Sequence, residues 1–118
     1  ILGGNMNFEE TIKPFFWVEH EKSTSLCLSN LNYKAEIFDS RADEGFIGNG
    51  YDWGSLALVF LEEKMPDLID TVKFDPEADM FCAYSSDSEA LKKFALSFKE
   101  ACENTELISE LFSRAELD

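Results

Sequence analysis

Once the carboxylates are set aside, few side chains in this sequence could do chemistry: a single histidine, His20, and three cysteines, Cys27, Cys82 and Cys102. His20 stands in no recognised nucleophile setting such as a Gly-x-Ser-x-Gly elbow, and reads as a half-exposed residue at the end of a strand. The cysteines are odd in number, far apart in sequence and free of any Cys-x-x-Cys pairing. That spacing excludes a zinc ribbon or finger and argues against a secreted disulfide framework. Each falls in an apolar pattern and is expected as a small buried hydrophobe in a cytosolic protein.

The carboxylates are numerous but poorly arranged for catalysis or metal binding. Asp39-x-Arg41-x-Asp43 and Asp75-x-Glu77-x-Asp79 place acids two apart, as calcium loops do. Arg41 fills a ligand position of the first, however, and Glu44 and Met80 replace the glycine that such loops need at their sixth position. A hydrolase built on a carboxylate pair would want a cleft-forming second domain, and any pair picked among so many acids is arbitrary. The block Gly48-Asn49-Gly50-Tyr51-Asp52-Trp53-Gly54 precedes a helix as a phosphate loop does, but it lacks the lysine and has Asp43, Glu44 and Asp52 close by, which repel anions. Its reading is structural: a tight turn that lets Trp53 enter the core while Asp52 caps the helix. No catalytic, cofactor-binding or metal-ligating residue is expected.

The acids are informative through their number and position. The chain holds 24 Asp and Glu against 10 Lys and Arg, a formal charge of −14 over 118 residues. Phosphate backbones and anionic lipid surfaces repel such a protein, which makes nucleic acid and membrane poor partners, whereas a basic macromolecule is steered toward it. Twelve acids fall between Glu36 and Asp79 against Arg41, Lys64 and Lys73. The candidate partner-binding residues are therefore Asp39, Asp43 and Glu44 in one loop, Glu62 and Glu63 on a helix, and Asp75, Glu77 and Asp79 in a turn. Tyr51 and Trp17 are candidate anchors among them, although aromatics of this kind belong more often to a core.

The elements that must position these groups follow from periodicity. Residues 13–20 and 25–29 read as a β-hairpin, and residues 33–39, with Tyr33, Ala35 and Ile37 on one side, read as a third antiparallel strand. A helix runs from the glycine block to Pro66, with Trp53, Leu56, Ala57, Phe60 and Leu61 at helical spacing and Glu62 and Glu63 outward. Short strands are expected over 69–74 and 80–84. A capping box at Ser86-Asp87-Ser88-Glu89 then opens a helix striped by Leu91, Phe94, Ala95, Phe98 and Cys102, and a last helix covers about 106–115. The order is roughly β-β-β-α-β-β-α-α: an α+β domain with helices packed on one face of a mostly antiparallel sheet. Ile1 to Asn5 read as a vector-derived remnant before a native start at Met6, leaving residues 6–118 as one domain with 45% apolar residues and 16 aromatics for its core. The longest apolar runs are far short of a membrane span.

Phe15-Phe16-Trp17, the glycine block from Gly48 to Gly54, and the helix Ser55-Leu56-Ala57-Leu58-Val59-Phe60-Leu61 together resemble the immunity protein 51 family of bacterial polymorphic toxin systems, over about 12–112. The resemblance implies a non-enzymatic role: binding and neutralising, in the cytosol, the C-terminal toxin domain encoded by the neighbouring gene. The shared block maps onto Gly48, Gly50, Asp52 and Trp53 as scaffold positions, and the residues that touch the toxin are expected to differ between members. Many such toxins are nucleases with basic clefts, which an acidic surface could occupy in place of substrate. An acidic DNA mimic directed at an unrelated DNA-binding protein is the alternative; it requires carboxylates spaced like phosphates along an elongated surface.

Overall fold

A computed structural model describes residues 3–117, with side chains from residue 8 onward. Helix α1 (Gly3–Ile12) leads through a cis Lys13–Pro14 peptide into β1 (Phe16–Glu19) and β2 (Thr24–Leu28), followed by a short α2 (Ala35–Asp39) and the long α3 (Gly50–Lys64). Strands β3 (Lys73–Phe74) and β4 (Phe81–Ser85) come next, and α4 (Ser88–Glu103) and α5 (Thr105–Phe112) close the chain. The sheet is antiparallel throughout, in the order β1-β2-β4-β3. The α+β class expected from the periodicity is the class observed.

Residues paired directly across an antiparallel ladder share a face of the sheet. Leu26 pairs with Ala83 and Leu28 with Phe81, so these four point to one side, where all are buried. On that side Phe81 meets Phe98 of α4, and Phe74 meets Phe94. The opposite face carries Phe16, Cys27 and Cys82 in one row and Val18, Ser25, Tyr84 and Lys73 in the next. Phe16 and Tyr84 there are each 40% exposed.

Trp53 lies at the centre of an aromatic cluster. It is fully buried, stacked on Tyr33 at 5.9 Å and ringed by Phe15, Phe38 and Phe98. Burying the carbon surface of a side chain this size is worth about 3 kcal/mol, offset in part because the buried indole N–H finds no hydrogen-bond partner among the described residues.

Residues 33–39 form a helical turn instead of the expected strand. A strand would turn Phe38 to the side opposite Ile37, yet both are buried, and Phe38 packs between Trp53 at 5.3 Å and Phe112 at 5.0 Å. Two adjacent apolar residues with one core to enter favour a helix, and Lys34, in the left-handed region at φ 53°, breaks the extended chain before it. The strand expected over 69–74 shrinks to Lys73 and Phe74, because the turn opened at Pro66 continues, with the Thr71 and Val72 amides donating to the Leu68 carbonyl. Helix α4 is capped by Asp87, whose carboxylate accepts from the Ala90 amide at 3.1 Å, and not by Ser86. Helix α1 begins at Gly3, inside the segment set aside at the sequence level; residues 1 and 2 lie outside the described residues.

Candidate interaction surface

The N-terminus of α3 is built by reciprocal hydrogen bonds. Asn49 is its N-cap, with Oδ1 accepting from the Asp52 amide at 2.8 Å. The 97% buried Asp52, expected as the cap, instead sends its carboxylate back over the incoming loop and accepts from the amides of Ile47 and Gly48, each at 2.8 Å. This leaves a buried carboxylate satisfied by backbone donors at the positive end of a helix, an arrangement that stabilises without a cation. Gly48 sits at φ +81°, in the region open to glycine, directly against the Phe38 ring.

The acidic turn from Asp75 to Met80 packs against this same helix end. The Gly50 amide donates to the Ala78 carbonyl at 3.2 Å, and a Cβ at Gly50 would overlap the carbonyl oxygens of Glu77 and Met80. One turn further on, a Cβ at Gly54 would meet the Pro76 ring at 3.2 Å. The glycine block is thus a docking strip for the turn as well as a route for Trp53 into the core.

At 100° per residue, Gly50, Gly54, Ala57 and Leu61 face the turn and the sheet, while Tyr51, Ser55, Leu58 and Glu62 form a separate outward stripe. Tyr51 and Leu58 are 41% and 42% exposed. Beyond this stripe lie the chain's last described residues: Leu117, half exposed, stands over Gly45 near Ile47, which is 77% exposed. Two shallow depressions mark the junction, one of about 450 Å³ between Ile47, Asn49, Tyr51 and Leu117, the other of about 250 Å³ between Ser55, Leu58, Glu62, Arg114 and Glu116. Ile47, Tyr51 and Leu117 around the first depression and Leu58 beside the second make up an exposed apolar ridge, of which only Tyr51 is a candidate anchor from the sequence.

The predicted acids divide into two groups around this ridge. Glu44 and Glu63 are engaged in pairs. Arg41 grips Glu44 through two hydrogen bonds of 2.7 and 2.9 Å, donates to the carbonyls of Phe112 and Ala115, and lies over the Phe46 ring. Arg114 takes Glu63 in a fork at 2.7 and 2.8 Å. The hydrogen bond from each guanidinium holds the partner carboxyl below the ordinary glutamate range. Asp39, Asp43, Glu62, Asp75, Glu77 and Asp79 are exposed and enter no ion pair among the described residues. Glu62 stands beside Leu58 on the ridge itself; Asp75, Glu77 and Asp79 occupy the turn packed on α3, and Asp43 lies in a 3-10 turn over Ala42–Glu44 shortly before Ile47. Asp39 ends α2, apart from the ridge.

The other candidates go elsewhere. Trp17 is half-buried, edge-on to Phe8 at 4.9 Å, with its indole N–H donating to Glu19. His20 is exposed at the tip of the β1–β2 hairpin, its amide bonded to the Ser23 carbonyl at 2.8 Å. Among the described residues no three His, Cys, Asp or Glu side chains are grouped to hold a metal ion, and no helix is long and apolar enough to cross a membrane.

What the fold and this face define is an α+β domain presenting an apolar ridge rimmed by uncompensated carboxylates. The family model for immunity protein 51 matches residues 15–117, and the chain belongs to that family. Membership supports an immunity role and implies a cognate toxin protein as the partner. Comparison with curated proteins and with solved structures finds no match.

Proposed function

We propose that this protein binds the toxin domain encoded beside it, in the cytosol, and neutralises it without catalysis, by laying the α3 ridge and its acidic rim across a basic active cleft. The observation that carries the reading is the placement of Tyr51, Leu58, Ile47 and Leu117 among exposed carboxylates that enter no ion pair among the described residues. Apolar side chains at the centre of a footprint supply anchoring, while surrounding charges steer the encounter and set partner choice. A toxin that cleaves nucleic acid must hold phosphate with Lys and Arg, so the same cations that bind substrate would accept these acids. The DNA-mimic alternative is less well supported: Glu44, Glu63 and Glu103 are drawn onto Arg41, Arg114 and the pair Lys34 and Lys99, which interrupts any continuous row of free carboxylates.

Two measurements test the reading. Co-expression should protect cells from the neighbouring toxin domain, and the purified pair should form a one-to-one complex. The association rate of that complex should fall by roughly 10-fold or more between low and physiological salt. Protection with a salt-insensitive association rate would retain the immunity role and remove the electrostatic mechanism; no protection and no complex would remove both.

A further inference from the structure

Cys27 and Cys82, 55 positions apart in sequence, are directly opposed on the central strands β2 and β4, on the sheet face away from the Phe81 and Leu28 side chains. Within an antiparallel strand the N–H and C=O of one residue point to the same side. The Cys82 carbonyl accepts from the Asp75 amide at 2.8 Å, toward β3, so it does not bond across to β2. Cys27 and Cys82 therefore form a non-hydrogen-bonded pair, the closer of the two kinds, with Cα atoms about 4.5 Å apart. That spacing falls inside the range a disulfide spans, about 4.4 to 6.8 Å. Their side chains share one face of the sheet at this register, and both thiols are free.

We propose that Cys27 and Cys82 are a covalent modification site, a dithiol that closes to a cross-strand disulfide by exchange with a small-molecule disulfide such as oxidised glutathione. Cys82, partly exposed, is the entry point, and Cys27, 94% buried, is the resolving thiol. In the first step the Cys82 sulfur, having lost its proton to solvent, attacks one sulfur of the small disulfide. The S–S bond breaks, a mixed disulfide forms on Cys82, and one small thiolate leaves and takes up a proton. In the second step the deprotonated Cys27 sulfur attacks Cys82 and expels the other small thiolate, which is also protonated. Two protein thiols are oxidised and one small disulfide is reduced to two thiols.

The surroundings make this a slow, latent site. Burial raises both thiols, Cys27 to about 12, and the carboxylates of Asp75 and Glu77 add to the effect at Cys82. Thiolate is therefore scarce near neutral pH, and a reducing thiol pool keeps the pair open. Cys102, on the core side of the molecule in α4 and fully buried, provides an internal control.

The test is to incubate the folded protein with oxidised glutathione without denaturant, then unfold it directly into excess alkylating agent to block the remaining thiols, and measure intact mass and tryptic peptides. The expected product has lost two hydrogens, carries a Cys27–Cys82 linked peptide and a single alkylated site at Cys102, and melts about 5 °C or more above the reduced form. Cys102→Ala should leave the reaction unchanged, and Cys27→Ala should stop it at a glutathione adduct on Cys82. A wild-type protein that accumulates that adduct without closing the bond, or links only after unfolding, would overturn the proposal. Because the readout is on the unmodified chain, it holds even where a cysteine variant fails to fold.

Discussion

Gly50→Ala is expected to cost about 3 kcal/mol of folding stability, lowering the melting temperature by roughly 10 °C. The added methyl has nowhere to go: it would sit on the Glu77 and Met80 carbonyl oxygens and only 2.8 Å from the Met80 carbonyl carbon, all of them backbone atoms of a turn closed on itself by the Glu77–Met80 bridge. Relief requires pushing the turn off α3, with loss of the Gly50 to Ala78 hydrogen bond. Gly54→Ala makes the better-tolerated comparison, since the Pro76 ring atoms at 3.2 and 3.3 Å need yield only a few tenths of an ångström, and alanine is the stronger helix former. Thermal melts of the two variants should differ clearly. Equal, small effects would mean that the turn does not rest on the helix as described. The link to function is that displacing the turn also moves Asp75, Glu77 and Asp79, so partner binding should weaken in Gly50→Ala and not in Gly54→Ala.

The second large effect is on binding alone. Tyr51→Ala should weaken the toxin complex by about 30-fold, about 2 kcal/mol, while shifting the melting temperature by little. Tyr51 lies at the second position of α3, 41% exposed on the ridge and outside the buried core cluster. Its ring is the largest apolar group on that face, and anchors of this type, once desolvated at the centre of an interface, carry most of the binding energy. Neutralising the turn with Asp75→Asn, Glu77→Gln and Asp79→Asn together should act differently: a fall in association rate of roughly 10-fold at low salt that disappears at high salt, with the dissociation rate nearly unchanged. Surface plasmon resonance against the toxin domain separates the two behaviours. A Tyr51→Ala protein that binds like the wild type would show that the anchor lies elsewhere.

The parts of this molecule legible in its sequence are those governed by local pattern. Helices α3 and α4 announce themselves by apolar residues at helical spacing, the β1–β2 hairpin by alternation, and the glycine block by a density that only close backbone approach explains. What approaches it, the Asp75–Met80 turn, is more than twenty residues away and becomes known only through tertiary packing. The same limit hid the neutralisation of Glu44 and Glu63. Arg41 is near Glu44 in sequence, but its orientation is fixed by the Phe112 and Ala115 carbonyls, and Arg114 is 51 positions from Glu63. Residues 33–39 misled because Tyr33, Ala35 and Ile37 alternate well; the burial of Phe38 between Trp53 and Phe112 outweighs that alternation. The pairing of β2 with β4, which brings Cys27 against Cys82, joins strands 55 positions apart and is set by tertiary packing. Of the candidate surface, the charge was visible and the apolar centre was not, because Ile47, Leu58 and Leu117 look like core residues until the fold leaves them outside.

Amide hydrogen exchange of the protein alone and in complex shows whether the α3 ridge and its acidic rim form the toxin footprint. Binding should slow exchange over the Ile47 to Glu62 segment and the Asp75 to Met80 turn, while the β1–β2 hairpin tip around His20 exchanges as before. Slowed exchange at the hairpin and along the edge strand β1, with the ridge and turn unchanged, would put the toxin on the opposite side of the protein and off α3.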